Sequence, residues 1–541
     1  MKKLMSLLLA LVMVFALTAC GSKAPPEVPS GNPTGTPTGT PTAPVSIDTL
    51  VVGTTAKIVT ANRSEYNFDV ISGTLSQLAP IYLDEAGEYK PLLCDFKTTD
   101  SKIWTLTVRD GMKWHDGTPV TAEDIAFTLT YLDTQTEGGY ADSYADIKVI
   151  DDKNIELSLE KPNPRQLSSL TTLRIMPKHI YDGVADYTTV ANEQANIGCG
   201  PYKFIRFDAN AGVVEFAAVS DYADGKPSVN KIMLKLFDSA DTMYMALKSG
   251  DVDMIYKYSG GVEPAVIADL EASGNLTLMP IKNTANSASL IFNNNTAPGN
   301  DVNIRRAIAC AIDYAKFREL FGSSYSVPST AGFIPVGTPG YVAKDELKRD
   351  VEKAKELLKT AGCTDSNGDG YVEYKGAKLT LPIMLRDDKP EHTRYAELLV
   401  NNLKEVGIEV VLDVQEVANF RTKTEKERSQ VAVITGLTPF GMAKSQGMAS
   451  LYLWGDYPMS YGQVYDEAYK TLLGKADAAA NLEEYNAVAA EIQQYYADNI
   501  PAIALFWDSH VQAFSNSLEG FVVDGTFGIM NVQTWLNLTK K

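Results

Sequence analysis

The segment from Ile103 to Leu132 constrains the fold more than any other part of this 541-residue chain. From Trp104 to Arg109, large apolar side chains alternate with polar ones, which is the period of a half-buried strand. Two Asp-Gly pairs then predict two turns with a short strand between them. Thr121 follows as a candidate N-cap with Asp124 three residues later. The segment therefore predicts a strand, a short strand and a helix.

Two later segments carry equally definite local patterns. Between Ile197 and Tyr202 the chain reads IGCGPY, where two glycines permit close backbone approach and a proline precedes a new strand. Gly250 is placed to end a helix over Ala240–Ser249. A further helix is predicted within Leu290–Phe317. Its apolar residues fall at helical spacing on one face: Ile304, Ile308, Ala311, Ile312 and Ala315.

The second half of the chain alternates helices with strands. Glycines close the predicted helices Val351–Ala361 and Glu391–Val406, and the strand Ile408–Val414 follows the second helix. This alternation predicts an α/β architecture.

Taken in order, these segments resemble the signature of the extracellular solute-binding protein family 5, the peptide- and nickel-type binding subunits of ABC importers. The first segment matches the family pattern at nearly every fixed position from Trp104 to Asp124. The second segment matches at Ile197, Gly198, Gly200, Pro201, Tyr202, Tyr222, Gly225, Lys226, Pro227, Leu247, Gly250, Asp251 and Asp253.

The resemblance implies an α/β, two-lobed periplasmic-binding-protein-like fold of type II, similar to cluster C, with an extra subdomain in the first lobe. Lobe I is expected to comprise residues 48–285 plus 505–541, with residues 76–198 as the inserted subdomain. Lobe II is expected to comprise residues 286–504. Two crossover segments, near Ile281–Ser289 and Asn499–Trp507, would join the lobes.

The N-terminus predicts export. Lys2 and Lys3 precede an apolar run that is too short to span a membrane, so residues 1–19 have the form of a signal peptide. The sequence before Cys20 resembles a lipobox, which implies a diacylated (palmitate-type) cysteine at the mature N-terminus; an ordinary signal peptide is the alternative. Residues 20–47 are rich in Gly, Thr and Pro and predict an extended tether. We expect a chain anchored by lipid to the extracellular face of the cell membrane.

Composition and isolated motifs exclude several classes of function. A net charge of −18 argues against a nucleic-acid partner and a polybasic membrane contact. The histidines form no metal-binding motif, and the chain contains no nucleophile elbow, Walker A or dinucleotide-binding pattern. We therefore expect no resident metal, no cofactor and no catalytic activity. We also expect a monomer.

Two features leave alternatives open. The run Asp365–Glu373 is similar to a calcium loop, but Gly376 stands where such a loop needs a glutamate, so a plain turn is favoured over calcium. Four cysteines remain beyond Cys20, and the sequence identifies no disulfide pair among them. We expect four buried free thiols, at Cys94, Cys199, Cys310 and Cys363.

The resemblance also implies a ligand cleft. It would lie between the loop Ala56–Phe68, the hinge Asn286–Asn293 and the loop Gly436–Tyr461. The candidate ligand-binding residues are Thr55, Tyr66, Asn286, Asn293, Thr438, Phe440, Trp454 and Trp507.

This chain departs from the peptide binders of the family after the strand Val431–Thr435. Those proteins often carry a tryptophan there and an aspartate that pairs with the peptide amino group, whereas this chain has Leu437–Phe440. We expect a substrate-binding lipoprotein that delivers an oligopeptide or peptide-like solute to permease subunits and their ATPase. The alternatives are a peptide-pheromone receptor of the same fold, or a binder of a metal chelate or an oligosaccharide.

Overall fold

The computed structural model of the protein describes residues 46–135, 140–141, 143–257, 261–336, 340–437, 453–457 and 460–541, and gives the backbone alone for residues 282–287 and 437. Its strands are β1 Ile47–Thr54, β2 Ile81–Leu83, β3 Tyr89–Pro91, β4 Cys94–Lys97, β5 Ile103–Val108, β6 Asp146–Val149, β7 Asn154–Ser158, β8 Tyr202–Asp208, β9 Val213–Ala218, β10 Val229–Leu236, β11 Met254–Ile255, β12 Leu276–Phe292, β13 Glu373–Tyr374, β14 Ala377–Lys378, β15 Thr380–Arg386, β16 Glu409–Gln415, β17 Ala432–Leu437, β18 Ala502–Ser515, β19 Leu518–Glu519 and β20 Thr539–Lys540.

The helices of the described residues lie between these strands along the chain. They are α1 Tyr66–Ser72, α2 Ala122–Gln135, α3 Leu167–Leu170, α4 Lys178–Tyr181, α5 Asn192–Ala195, α6 Ala240–Ser249, α7 Pro264–Ala272, α8 Val302–Ala311, α9 Tyr314–Phe321, α10 Val351–Thr360, α11 Pro390–Lys404, α12 Val417–Arg421, α13 Glu467–Ala478, α14 Leu482–Asn499 and α15 Val532–Asn537, with a 3₁₀ turn at Tyr187–Thr189 and a π-helical turn at Thr422–Glu427.

One mixed sheet runs through the molecule in the order β16-β15-β17-β12-β18-β11-β1-β10-β9-β8. The long antiparallel strands β12 and β18 lie at its middle and link its two halves. Their pairing is irregular between Ile281 and Asn286. A break in the ladder at this point leaves the two halves of the sheet joined only by two strands.

The buried apolar side chains separate at the same point. On β12, Ile281 belongs to a core with residues 47–75, whereas Ala288 belongs to a core with residues 290–506. On β18, Trp507 packs with the second half and Val511 with the first. Within the described chain, the fully buried members of each core cluster come from one half, and the half-buried Tyr325 of the second half packs against a cluster of the first. This division supports the predicted lobes, whose limits remain a prediction.

The segment that opened the sequence analysis lies in a separate antiparallel sheet, β4-β5-β7-β6. The predicted strand is confirmed as β5, with Trp104, Leu106 and Val108 buried. The predicted short strand is reduced to a single bridge between Lys113 and Pro119. This sheet and α2 share one apolar core, which also includes Tyr222 and Val532 from outside residues 76–198, and the predicted subdomain remains a prediction.

Thr121 and Asp124 confirm the predicted start of α2. The carboxylate of Asp124 accepts the Thr121 backbone N–H at 2.9 Å, which is one half of a capping box. The same carboxylate accepts the indole N–H of Trp114 at 3.3 Å and the backbone N–H of Lys178 at 2.8 Å. The acid therefore joins the turn, the helix and the segment before α4.

The helix predicted to reach Ala315 is wrong in its second half. Ile312 adopts an extended conformation that ends α8, and the side chain of Asp313 caps a new helix by accepting the Lys316 N–H. The new helix direction leaves Ala315 exposed. Helix propensity along the sequence did not reveal this break because the capping role of Asp313 competes with helix continuation.

Other sequence expectations have definite outcomes. The helix Ala240–Ser249 is confirmed, and Gly250 ends it with φ +83°. In the described residues, the four cysteines are free; Cys94, Cys199 and Cys363 are buried, but Cys310 is only half-buried. Among the helices that the structure describes, none is long and apolar enough to cross a membrane.

Candidate functional site

The carboxyl ends of parallel strands meet near the break between the two halves. In the first half, β1 runs parallel to β10 and β11, and β11 is antiparallel to β18. In the second half, β17 is parallel to β15 and ends at Leu437, which pairs with Ser287 at the irregular part of β12. Ligands of α/β proteins bind at the carboxyl ends of parallel strands. The topology therefore places a candidate cleft here.

A cavity of about 370 Å³ opens at the carboxyl ends of β1 and β11. Two of the predicted ligand-binding residues, Thr55 and Tyr66, line it together. The full lining consists of Thr54, Thr55, Ala56, Lys57, Tyr66, Asn67, Val70, Ile71 and Lys257. We name this set the β1–β11 cavity.

Tyr66 is the first residue of helix α1, whose N-terminus is capped by a side chain. Glu65 caps α1 by accepting the backbone N–H groups of Asn67 and Phe68, and Phe68 is fully buried beneath the helix. The tyrosine side chain is 65% exposed. Partial burial and the nearby Asp69 carboxylate raise the pKa of Tyr66, so the phenol stays protonated near neutral pH. The ring thus presents a neutral aromatic surface with a hydroxyl group.

Trp507 lies on β18 opposite Ser287, beside the break between the halves. Its side chain is 2% exposed and its ring lies 6.4 Å from that of Phe333. Within the described chain its indole N–H has no hydrogen-bond partner. A buried donor without a partner is costly, so this group is suited to donate to a solute or a water.

The structure gives Asn293 a role in folding. Its side chain is 1% exposed, donates to the carbonyl of Gln430 at 2.8 Å and accepts the N–H of Asn295 at 3.0 Å. It follows the end of β12, where Phe292 pairs with Ala432 at the start of β17. This is the sheet edge opposite the carboxyl ends. Asn293 is therefore separated from the β1–β11 cavity.

Of the remaining predicted residues, Trp454 is described with its side chain and is not among the residues that line the cavity. Trp454 is half-buried, and its ring lies 6.4 Å from Tyr465 and 6.2 Å from Tyr469. Asn286 pairs through its backbone with Asp508, and its side chain is not described. The last three predicted residues lie outside the described part of the chain: Cys20, Thr438 and Phe440.

The run Asp365–Glu373 folds as a turn that uses its own carboxylates. Asp365 accepts the N–H groups of Gly368 and Gly370, and Glu373 accepts that of Ser366. Oxygens of Asp365, Asp369 and Glu373 do lie within 4.8 Å of one another. Because loop amides already occupy these carboxylates, the plain-turn interpretation accounts for the geometry.

Sequence reasoning did not select Lys57 and Lys257, although both line the cavity. Each follows shortly after a strand, β1 in one case and β11 in the other. Their position directly after two parallel strands could have indicated that they lie at the ligand-binding edge of the sheet. This indication needs the sheet order, because the two lysines are 200 residues apart in the sequence and only the pairing of β1 with β11 brings them together.

Comparison with known proteins places the chain in a family. The profile of the bacterial extracellular solute-binding proteins, family 5 Middle, matches residues 88–458. The probable peptide ABC transporter periplasmic-binding protein y4tO of Sinorhizobium fredii is 27% identical over 454 residues, covering 78% of this chain and 81% of the relative. The oligopeptide-binding protein AppA of Bacillus subtilis is 23% identical over 509 residues, covering 90% and 91%.

Solved structures share the fold. HbpA2 from Haemophilus parasuis aligns with a TM-score of 0.76 at 19% identity, over 91% of this chain and 100% of that one. AppA from B. subtilis in complex with a nonapeptide gives 0.67 at 20% identity, over 92% and 100%. NikZ from Campylobacter jejuni in complex with Ni(L-His) gives 0.68 at 20% identity, over 91% and 99%. With its profile match and its two-lobed α/β fold, the chain belongs to the bacterial extracellular solute-binding proteins of family 5.

Proposed function

We propose that this solute-binding protein captures an oligopeptide or peptide-like solute between its two lobes and delivers it unchanged to the permease of an ABC importer. The β1–β11 cavity is the observation that carries the proposal. It lies at the carboxyl ends of β1 and β11 in the first half of the sheet, so a solute held there would contact the first lobe while the second lobe closes over it. Closure needs only a higher affinity of the solute for the closed form.

The relatives support the peptide class. Both y4tO and AppA are named as peptide or oligopeptide binders. NikZ, which has the same fold, holds a nickel–histidine chelate, so the fold alone does not select peptides. The chain between Leu437 and Gly455 contains no Asp or Glu. An acid that pairs with a peptide amino group must therefore be Asp456, which follows directly in the same predicted loop, or come from another segment; otherwise the solute must lack a free amine.

The site residues that we propose on this basis are Thr55 and Tyr66 on the first lobe and Trp507 at the connecting strand. Thr55 is half-buried at the end of β1, Tyr66 is exposed to solvent, and Trp507 offers an indole N–H. Together they would supply a hydroxyl, an aromatic face and a donor, which is the mixture that small-molecule sites use.

We further propose that a lipid on Cys20 holds the protein at the extracellular face of the cell membrane. The apolar run before the cysteine and the Gly/Thr/Pro-rich tract after it support this anchor. Metabolic labelling with a palmitate analogue tests it: the wild-type chain should be labelled and Cys20→Ala should not. Labelling of both chains, or of neither, would refute the lipid anchor.

A thermal-shift screen of the purified mature chain tests the proposed solute. The panel holds di- to hexapeptides with free and blocked N-termini, nickel with chelators, and oligosaccharides. A compound at 100 times its Kd stabilises the folded state by about 2.7 kcal/mol, which raises the melting temperature measurably. Stabilisation by peptides supports the proposal. Stabilisation by chelates or sugars alone, or by nothing in the panel, would contradict it.

A further inference from the structure

The two edge strands of the ten-stranded sheet differ in how they are protected from pairing with another chain. β8 ends the sheet in the first half, and its pairing with β9 is irregular between Phe204 and the exposed, charged Arg206. Irregular pairing and charge are common protections of an edge strand. β16 ends the sheet in the second half, and its pairing with β15 is regular from Glu409 to Gln415. This edge therefore lacks the irregularity that protects β8.

β16 presents a row of unpaired backbone groups. The N–H of Glu409 donates to the carbonyl of Leu379 at 3.0 Å, so this residue faces the rest of the sheet. Because the direction of the backbone groups alternates along a strand, those of Val410, Leu412 and Val414 point away from β15. Among the described residues, no group forms a hydrogen bond with these outward N–H and C=O groups.

The same strand exposes apolar side chains. Val411 is 45% exposed and Val414 is 49% exposed. Val410 and Leu412, by contrast, pack against the core of the second half and hold the strand in place. A regular, apolar edge strand with free backbone groups favours addition of another strand.

The two acids of β16 do not oppose such an addition strongly. Nζ of Lys378 lies 3.5 Å from Oε1 of Glu409, and Nζ of Lys423 lies 3.8 Å from Oδ2 of Asp413. Each carboxylate is thus close to a cation of its own chain. The charge that this edge presents to an approaching strand is therefore small.

We propose that β16 pairs antiparallel with β16 of a second copy of this chain, about a two-fold axis at Leu412. In this register Leu412 faces Leu412 of the second copy, and Val410 faces Val414. Each of these pairs would exchange two backbone hydrogen bonds, because the outward-facing groups belong to these three residues.

The side chains of β16 are complementary to themselves in this register. Val411 would face Asp413 of the second copy, and Glu409 would face Gln415, so no two like charges lie directly opposite. A strand of another sequence would need this pattern by chance, whereas a second copy always carries it. The strand itself thus favours a second copy as its partner.

This pairing is independent of the proposed function and replaces the monomer expected from the sequence. β16 lies in the second half of the sheet, whereas the β1–β11 cavity lies in the first. One strand pair buries less area than a permanent dimer needs, so we expect a weak dimer that forms as the protein concentration rises.

Sedimentation velocity over a concentration series tests the dimer. The mature chain carries Cys20→Ala, so that a lipid cannot cause association. The weight-average sedimentation coefficient should rise with concentration toward that of a dimer. A chain that stays monomeric up to its highest soluble concentration would overturn the proposal.

Two substitutions of opposite charge at Val411 test the register. Val411→Asp places two acids opposite Asp413 residues and should raise the dissociation constant of the dimer at least about tenfold. Val411→Lys places opposite charges there and should leave the dimer as stable as in the wild type or more stable. Ile205→Asp, at a 47% exposed position of β8, is the control and should change nothing.

Val414→Pro tests the backbone hydrogen bonds. Proline at this position removes an outward N–H and leaves the ladder with β15 intact, so dimerisation should weaken about tenfold. Val411 and Val414 are exposed, so the melting temperatures of the dilute variants should stay near that of the wild type.

The outcomes separate the parts of the proposal. Equal weakening by Val411→Asp and Val411→Lys would overturn the register. Wild-type dimerisation in both Val411→Asp and Val414→Pro would place the dimer contact on another surface and overturn the assignment to β16. Weakening by Val411→Asp and Val414→Pro, with dimerisation retained in Val411→Lys and Ile205→Asp, would support it.

Discussion

Arg165, which lies just before helix α3, and Asp477 of helix α13 form an ion pair between the two halves of the molecule, with Nη2 2.9 Å from Oδ1. The guanidinium of Arg165 also lies over the ring of Tyr485, 4.8 Å from its centroid. Tyr485 is buried and Asp477 is 73% exposed. The contact thus combines a weak surface ion pair with a more shielded cation–π interaction.

Arg165→Ala should loosen the two halves with little effect on stability. We expect the unfolding free energy to change by about 1 kcal/mol. The radius of gyration of the unliganded protein, measured by small-angle X-ray scattering, should increase. Lys153→Ala breaks an exposed ion pair inside the subdomain, with Asp110, and provides the control. An unchanged radius in Arg165→Ala would show that this contact does not restrain the lobes.

Asp124→Ala should destabilise the protein by about 3 kcal/mol. The substitution removes a 4% exposed carboxylate that accepts N–H groups of Thr121, Trp114 and Lys178 and leaves those donors unsatisfied. Urea unfolding measures the loss. Asp146→Ala, at an exposed position that begins β6, is the control and should change stability by less than about 0.5 kcal/mol. Equal stability of both variants would argue against the role of Asp124.

His115 predicts a pH dependence with a definite sign. The ring contacts the Gly200 carbonyl through Nε2 and the Gly198 N–H through Nδ1, and burial lowers the pKa of His115 to about 4. Because the unfolded histidine titrates near 6.5, its contribution to stability is complete above pH 6.5 and is lost as pH falls toward 4. That loss amounts to about 3 kcal/mol.

His115→Gln tests this linkage without relying on the pH profile of the whole protein. The free-energy cost of the substitution should be smaller at pH 4.5 than at pH 7.5, because only the wild type carries the histidine penalty in acid. His179→Gln removes a partly exposed ring on α4 as the control. A cost of His115→Gln that is constant between these pH values would contradict the neutral state of the half-buried ring.

Gly198→Ala should destabilise the protein by about 3 kcal/mol or more. A Cβ at this position would collide with the carbonyl of Ser76, and a backbone atom cannot move aside cheaply. Gly474→Ala is the matched comparison. Gly474 lies within α13 with open space around its Cβ position, so alanine should stabilise by about 0.5–1 kcal/mol. Thermal unfolding of both variants should therefore shift in opposite directions.

Local patterns along the sequence predicted much of the fold. Thr121 and Asp124 marked the start of α2, and Gly250 marked the end of α6, because caps act within a few residues. The close approach predicted at Gly198 is confirmed by its proximity to Ser76. The break before Ala315 was missed because Asp313 can either continue a helix or cap a new one.

The candidate site was less accessible to such reasoning. Thr55 and Tyr66 were selected from one continuous loop, and the structure brings them together. Lys257 reaches the same cavity only because β11 pairs with β1, a contact between segments about 200 residues apart. Asn293 was selected as part of the hinge Asn286–Asn293 that the family resemblance implies, but its side-chain amide is hydrogen-bonded to backbone groups of nearby loops. Contacts such as that between β1 and β11 depend on the order of strands in the sheet, which local sequence patterns do not specify.

The affinity of Tyr66→Ala tests the central claim that the solute binds in the β1–β11 cavity. Isothermal titration would use the peptide that most stabilises the wild type in the thermal-shift screen. Val59→Ala, in the same loop and 79% exposed but outside the cavity lining, is the control. We predict that Tyr66→Ala binds at least about tenfold more weakly, a loss of about 1.4 kcal/mol, with an unchanged melting temperature of the free protein. Equal affinity of Tyr66→Ala and the wild type would contradict the claim and place the site elsewhere.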